Sequence, residues 1–261
     1  MPTLRLTLEY EGTRYHGWQE QKNARSVAGE LRRAVEEAAG EVRELAGSGR
    51  TDAGVHALAQ VAHLRLARRV DPGSFRREVN DRLPPDIHLL AAAPAPDRFH
   101  ARHDAVLRSY LYQVATRRTA LAKRFVWWVK RPLDLAAMRA AAAQLAGKHD
   151  FRLFCERPAE QTSTLVVVER AELAAEGGLV LVRLAASHFL WKMVRRVVGA
   201  LVEVGSGGLA ADGFAALVAG RGAAHAEWTA PPSGLFLERV VYHGDPPLGP
   251  LRAAVPVSGE P

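Results

Sequence analysis

One succession of apolar periodicities, strand–helix–strand–strand–helix–strand, runs along this chain twice. Thr3 to Tyr10 alternates strictly, with Leu4, Leu6, Leu8 and Tyr10 on one side, the period-two mark of a half-buried strand. Ser26 stands where a helix cap belongs, ahead of a stripe of Val27, Leu31 and Val35. A short strand is expected from Glu41 to Leu45, then the turn Gly47-Ser48-Gly49, then a strand from Gln60 to Leu66. Asp71-Pro72 has the cap-plus-proline signal of a second helix carrying Phe75 and Val79, and Ile87 to Ala92 closes the unit as a strand.

After the proline-punctuated stretch Pro94 to Pro96 the order returns. Leu107 to Ala115 reads as a strand with Tyr110, Tyr112 and Val114 on one side, and Asp134 starts a helix through Leu135, Met138 and Leu145 that Gly147 closes. Thr164 to Leu173 and Leu179 to Ala185 flank the hairpin signal Gly177-Gly178. Helices are expected from Leu190 to Val204 and, capped by Asp212, around Phe214 and Leu217; Leu235 to Tyr242 ends the copy as a strand.

Such a repeat predicts an α+β fold: two ferredoxin-like βαββαβ halves whose antiparallel sheets meet at a central cleft, with helices on the opposite face. The expected division is 1–98 for the first half, 99–243 for the second, and 244–261 as a loose proline-rich tail.

The formal charge of +7 favours an anionic partner, and all but five of the 35 basic residues are arginine. Arginine forks onto phosphate and stacks on bases, so this bias suits nucleic acid, although a solvated basic surface would look the same. No apolar run approaches the ~18 residues of a membrane helix. Met1 to Arg5 leads straight into strand alternation, so no secretory leader is expected. A single cysteine, Cys155, excludes an internal disulfide and a cysteine-based zinc site, and fits a reducing cytoplasm.

Chemistry concentrates in Gly47-Ser48-Gly49-Arg50-Thr51-Asp52-Ala53-Gly54-Val55-His56-Ala57. Three glycines and two small residues surround one arginine and one carboxylate, which lets a bulky ligand approach the backbone. No Gly-Lys-Ser/Thr follows at the spacing of a phosphate-binding loop. On these residues alone, Asp52 reads first as a turn cap. Arg195 shares a helix face with Trp191, Val198, Gly199 and Val202; it either meets an anion there or reaches out to water. Tyr110 reads first as a core aromatic with a wet hydroxyl. His100 and His103 have ligand-like spacing, but the two imidazoles alone do not make a ligand set, so no metal is expected. His56 is expected to hold the loop by hydrogen bonds. Trp127-Trp128 could stack on RNA or, more simply, pack on the helix layer.

Seven blocks, in order, resemble those of TruA-type pseudouridine synthases. They are Tyr10 to Gln21; Arg50 to Ala57 with Gln60-Val61; Asn80 with Leu83 to Ile87; Phe99 to Arg102 leading to Tyr110-Leu111-Tyr112; Gly147 to Phe151; Met193 to Arg195 through Gly199; and Ala230 to Leu235. Arg108 stands where the family usually has lysine, keeping the charge, and the residues beyond Gly244 lie outside the likeness.

The resemblance implies isomerisation of uridine to pseudouridine at positions 38, 39 and 40 in the tRNA anticodon stem-loop. It implies no cofactor and no metal, and a homodimer with one tRNA across both subunits. Carried over residue by residue, Asp52 is the nucleophile, Tyr110 contacts the flipped base, Arg195 pairs with Asp52, and Arg50 contacts RNA and helps displace the base. Whether Asp52 attacks the ribose or the pyrimidine ring stays open. Two rivals stand beside this: a noncatalytic RNA-binding protein, and a two-carboxylate hydrolase that would release free uracil.

Overall fold

A computed structural model describes residues 2–156, 163–223 and 226–259. The chain groups into two compact units, Met1–Val106 with Phe236–Pro247, and Leu107–Leu235 with Leu248–Pro261. It is α+β, and among the described residues no helix is long and apolar enough to cross a membrane.

The first unit is built from β1 (Thr3–Tyr10), α1 (Val27–Ala39), β2 (Val42–Gly47), β3 (His56–Leu66), α2 (Pro72–Asn80) and β4 (Ile87–Ala95). β1 lies between β4 and β3, with β2 on the far side of β3, and every one of these pairings is antiparallel. The alternation in β1 explains its central place: Leu4, Leu6, Leu8 and Tyr10 are buried. Pro94, which cannot donate to a ladder, falls on β4, bonded in this unit only to β1. Ser26 caps α1 by accepting from the Gly29 N–H at 3.2 Å, and Asp71 caps α2 by accepting from the Ser74 N–H at 2.7 Å. α1 and α2 pack on each other, α1 against β2 and α2 against β4.

The second unit contains β5 (Ala105–Ala115), β6 (Trp127–Trp128), α3 (Leu135–Ala143), β7 (Gly147–Asp150), β8 (Leu165–Glu176), β9 (Leu179–Ala186), α4 (Met193–Gly205) and α5 (Ala211–Val218). Its order β5-β9-β8-β7 is antiparallel throughout, with β6 running parallel to the end of β5. α4 packs on α3 through Gly205, where an added Cβ would meet the Met138 sulfur at 2.6 Å. The last strand, β10 (Leu235–Tyr242), pairs parallel with β3 through Phe236↔His56 and Leu237↔Ala57. The second copy's final strand is thereby part of the first unit.

Several boundaries differ from expectation. β3 starts at His56, not Gln60, because Gly54 at φ +78 completes the preceding turn. α3 stops at Ala143, and Gly147, at φ +100, opens β7 instead of closing the helix. α4 begins only at Met193 because Lys192 adopts a left-handed φ of 60. α5 is capped by Ala210, with Asp212 inside its first turn. β6 and β7 are additions to the expected order, being too short for periodicity to register.

The tail expected to be loose is pinned. Gln113 Oε1 accepts from the Ala254 and Val255 N–H groups at 2.7 and 3.1 Å, and the Gly178 N–H donates to the Val257 carbonyl at 2.8 Å. Arg183, 2% exposed on β9, donates to the Gly249 and Pro250 carbonyls as well as to Glu172. A buried guanidinium needs that many acceptors, and the proline-rich tail supplies them. Composition registered the prolines but not their partners.

Candidate active site

The Asp52 loop is held from behind by the end of β1, the start of β3 and the segment after β1. Ser48 donates its hydroxyl to Gln60 Oε1 at 2.9 Å, and Gln60 Nε2 returns to the Gly49 carbonyl at 3.0 Å. Tyr10 and Thr51 share a buried hydrogen bond of 2.8 Å between their hydroxyls. Burial drives the Tyr10 phenol well above its ordinary pKa, so it stays protonated and structural.

Gly17 adopts φ +93, and a Cβ there would lie 2.4 Å from the Thr51 carbonyl oxygen. A Cβ on Gly12 would lie 1.9 Å from the Val55 oxygen. Both glycines belong to the family's opening block, and both are required because the loop backbone presses on them. The Trp18 N–H donates to the Thr51 carbonyl at 3.1 Å, and the Gly54 N–H to the Tyr15 carbonyl at 3.2 Å.

Asp52 itself is half-buried. Its carbonyl accepts from the Val55 N–H at 3.1 Å, closing a turn with Gly54 at φ +78. This geometry fixes the backbone that carries the carboxylate. Arg50 is exposed at the mouth of the same loop. His56, 1% exposed, accepts from the Gly12 N–H on Nδ1 at 3.0 Å and stacks on Phe236 at 4.9 Å, so it fastens the loop as the sequence suggests. Tyr10, Thr51, Gln60, Ser48 and Gly17 are the supports that sequence reasoning did not single out. Tyr10, Gly17, Thr51 and Gln60 lie inside the matching blocks, whereas Ser48 was marked only by the glycine turn ahead of Arg50.

Tyr110 and Arg195 belong to the second unit. Tyr110, 8% exposed, sits opposite Leu184 in the β5–β9 ladder and meets Phe189 edge to face at 4.9 Å. Arg195, half-buried on the first turn of α4, donates Nε to the Ala230 carbonyl at 2.6 Å, and its own carbonyl accepts from the Ala230 N–H at 3.1 Å. Gly199, one turn further, touches the same segment: a Cβ there would lie 1.4 Å from the Trp228 oxygen. Two blocks distant in sequence thus meet, and they orient the guanidinium. Tyr112 donates to the Pro231 carbonyl at 2.7 Å.

A histidine cluster forms where none was expected. β2 and β3 bring Glu44 and His63 to His100, one potential ligand atom of each lying within 4.8 Å of the others. Its hydrogen bonds are wrong for an ion, however. His63 Nδ1 accepts from the Ala101 N–H at 3.2 Å, and His100 Nδ1 from the Arg102 and His103 N–H groups at 3.2 and 3.3 Å. Each neutral ring then carries its proton on Nε2, and that of His63 faces Glu44 at 3.0 Å. Metal-binding imidazoles place a hydrogen-bond acceptor, not a donor, behind the non-ligating nitrogen. The hydrogen bond from His63, aided by Arg65, holds the Glu44 carboxyl below its usual range, and burial, then His63 and His103, lower His100.

A family model described as tRNA pseudouridine synthase matches residues 7–104 and 141–243. The chain therefore belongs to the tRNA pseudouridine synthase family, isomerases that convert uridine to pseudouridine, and within it to the TruA type. It is 42% identical over 245 residues to the tRNA pseudouridine synthase A of Rhodopseudomonas palustris (strain BisB18), covering 93% of this chain and 100% of that one. With the Nitrobacter winogradskyi protein of the same name it shares 43% over 251 residues, 95% and 98% of the two chains. The corresponding Brucella ovis protein is 40% identical over 247 residues, 93% and 98%. A solved Cbf5–Nop10–Gar1 complex aligns at a TM-score of 0.33 and 12% identity, over 76% of this chain and 45% of that one, too weak a likeness to argue from.

Proposed function

We propose that this chain converts uridine to pseudouridine at positions 38, 39 and 40 of the tRNA anticodon stem-loop, with Asp52 as nucleophile. The carrying observation is Asp52 itself, a half-buried carboxylate on a loop whose backbone is fixed by buried hydrogen bonds and obligatory glycines. In this reading residues 1–98 and 99–243 act as two ferredoxin-like halves, the first bringing the aspartate loop and the second completing a central cleft. The enzyme is a cytoplasmic homodimer that needs neither cofactor nor metal.

Asp52 must be ionised to attack. Burial in a base-shaped pocket alone would raise its pKa, and the Arg195 guanidinium offsets that. Tyr110 gives the everted uracil a flat surface, and its hydroxyl is the candidate base for the proton on carbon 5. Arg50, exposed beside the nucleophile, contacts the RNA backbone and helps displace the base. Extracting a base from a stem costs a few kcal/mol, which arginine contacts to phosphate offset.

Asp52→Asn separates this from a noncatalytic RNA-binding role. Tritium release from 5-tritiated uridine in tRNA is expected to fall at least ~10⁴-fold, in the range seen when a catalytic nucleophile is removed, while tRNA binding persists. Unchanged release ends the proposal. Mass spectrometry of treated tRNA after carbodiimide labelling distinguishes isomerisation, which leaves RNA mass unaltered before labelling, from hydrolysis, which yields free uracil and an abasic site.

A further inference from the structure

Residues 116–131 leave the second unit's sheet at the end of β5 and return through β6, carrying six basic side chains and no acidic one. The sequence leaves Trp127 and Trp128 open between packing and stacking, and the structure separates them. Trp127 is half-buried, its ring edge-on to Tyr112 at 6.3 Å and 85°. Trp128 is 41% exposed, with the Arg118 guanidinium 5.8 Å from its ring centroid. These two, with Thr119, Ala120, Lys123 and Val126, line an open cleft of about 600 Å³.

The backbone beneath is firmly held. The Thr116 N–H donates to the Gly178 carbonyl at 3.0 Å, Gln113 Nε2 to the Phe125 carbonyl at 3.0 Å, and the Val129 N–H to the Ala115 carbonyl at 3.0 Å. The Ser233 hydroxyl donates to the Val126 carbonyl at 3.1 Å, and Ala122, Val126 and Val129 are buried. An indole on such a shelf loses little freedom when a ligand lands on it.

A lone exposed tryptophan is ordinary, but Trp128 lines an open cleft beside a guanidinium, on a segment whose charges are all basic. Among the described residues the lining of the cleft is cationic and carries no carboxylate, which opposes docking of a second copy of the same surface. A polyanion bearing flat, unpaired rings satisfies both features. A base can stack on the indole beside the guanidinium, while Lys123 meets a neighbouring phosphate.

We propose that Trp128, Arg118 and Lys123 form a tRNA-binding surface outside the residues assigned to the chemistry, stacking one unpaired base and neutralising its flanking phosphates. This rests on the reading of the chain as an enzyme acting on tRNA.

The test uses full-length Trp128→Leu and the double variant Arg118→Gln/Lys123→Gln. Each is titrated with unmodified tRNA by filter binding between ~50 and ~200 mM salt, and tritium release at saturating tRNA, thermal melting and sedimentation are recorded in parallel. Trp128→Leu is expected to weaken binding about 5- to 100-fold, the range for removing one base–aromatic stack, with the salt slope retained. The double variant is expected to lower the slope of log K against log salt by roughly 1 to 2, one step of about 0.9 for each phosphate left without its cation. In both, kcat stays at the wild-type value, because ground-state and transition-state binding fall together. Unaltered affinity and slope overturn the proposal, as does weakened binding that tracks with a lower melting temperature or a changed sedimentation coefficient. Wild-type protein that binds tRNA but forms no pseudouridine overturns the assigned chemistry instead, and the binding comparison still decides this surface.

Discussion

In both copies of the repeat the second strand must turn back into the third, and the two copies do it differently. Between β8 and β9 the turn is Gly177-Gly178, a minimal hairpin. Between β2 and β3 it is residues 48–55, the loop that carries Asp52. The strands on either side follow one scheme, β1-β3-β2 in the first copy and β5-β9-β8 in the second. The lesson is that the sheet supplies only a place for the chemistry. The Asp52 turn differs from its counterpart by added residues and by the buried hydrogen bonds that keep them in one conformation, and the fold alone implies neither.

Matched glycines give the strongest test of that contrast. Gly17 at φ +93 presses on the Thr51 carbonyl, and Gly177 at φ +55 would place a Cβ 2.3 Å from the Val257 carbonyl. Alanine at either should cost about 1–3 kcal/mol in urea denaturation, the usual penalty of a strained backbone. If Asp52 is the nucleophile proposed above, Gly17→Ala should also lower kcat by ~100-fold, as a displacement of about 1 Å at the reacting group does, whereas Gly177→Ala should leave kcat at its wild-type level. Equal losses of activity would mean that the two turns are not functionally distinct.

Matched tyrosines give a smaller effect. Tyr10 bonds Thr51 in the first unit, and Tyr112 bonds the Pro231 carbonyl in the second. Each Phe variant strands one partner and should cost roughly 1–2 kcal/mol of stability. Tyr10→Phe is expected to reduce kcat severalfold with KM for tRNA steady, since Thr51 adjoins Asp52, the proposed nucleophile. If KM rises instead, Thr51 serves binding and not the position of Asp52.

The smallest effect concerns the Glu44–His63–His100 cluster, confined to the first unit. Burial and its histidine neighbours lower His100 from its ordinary value near 6.5. Because its folded pKa is depressed, the unfolded chain binds more protons, so stability is full above about pH 6.5 and declines as pH falls toward the folded pKa. His100→Gln should flatten denaturation midpoints across that window, and zinc should leave the wild-type midpoint unmoved. A zinc-dependent rise would show that the imidazoles turn to coordinate an ion.

Much of this was legible in the residues. Strict alternation in Thr3 to Tyr10 placed β1, and the caps Ser26 and Asp71 placed the starts of α1 and α2, because capping and periodicity are local. The same local signals misjudged the start of α4, where Lys192 takes a left-handed conformation that no nearby residue announces. They also missed β6 and β7, which exist only because a neighbouring strand offers hydrogen bonds. For the candidate site, Asp52, Arg50, Tyr110 and Arg195 were read from motif blocks, but the residues that hold them were not. Gly12 pressing on Val55, and Ala230 gripping Arg195, join segments far apart along the chain.

By itself the order of residues determined the succession of the main elements, the bounds of β1 and β10, the starts of α1 and α2, the basic character and the family. Those depend on spacing, side-chain polarity and matching blocks, all readable along one dimension. Tertiary structure alone decided that β10 would join β3, that Arg183 would tie down the proline-rich tail, and that of two adjacent tryptophans one would pack and the other face water. A buried hydrogen-bonding group takes its partner from whichever segment the fold brings within about 3 Å, and that choice is made in space.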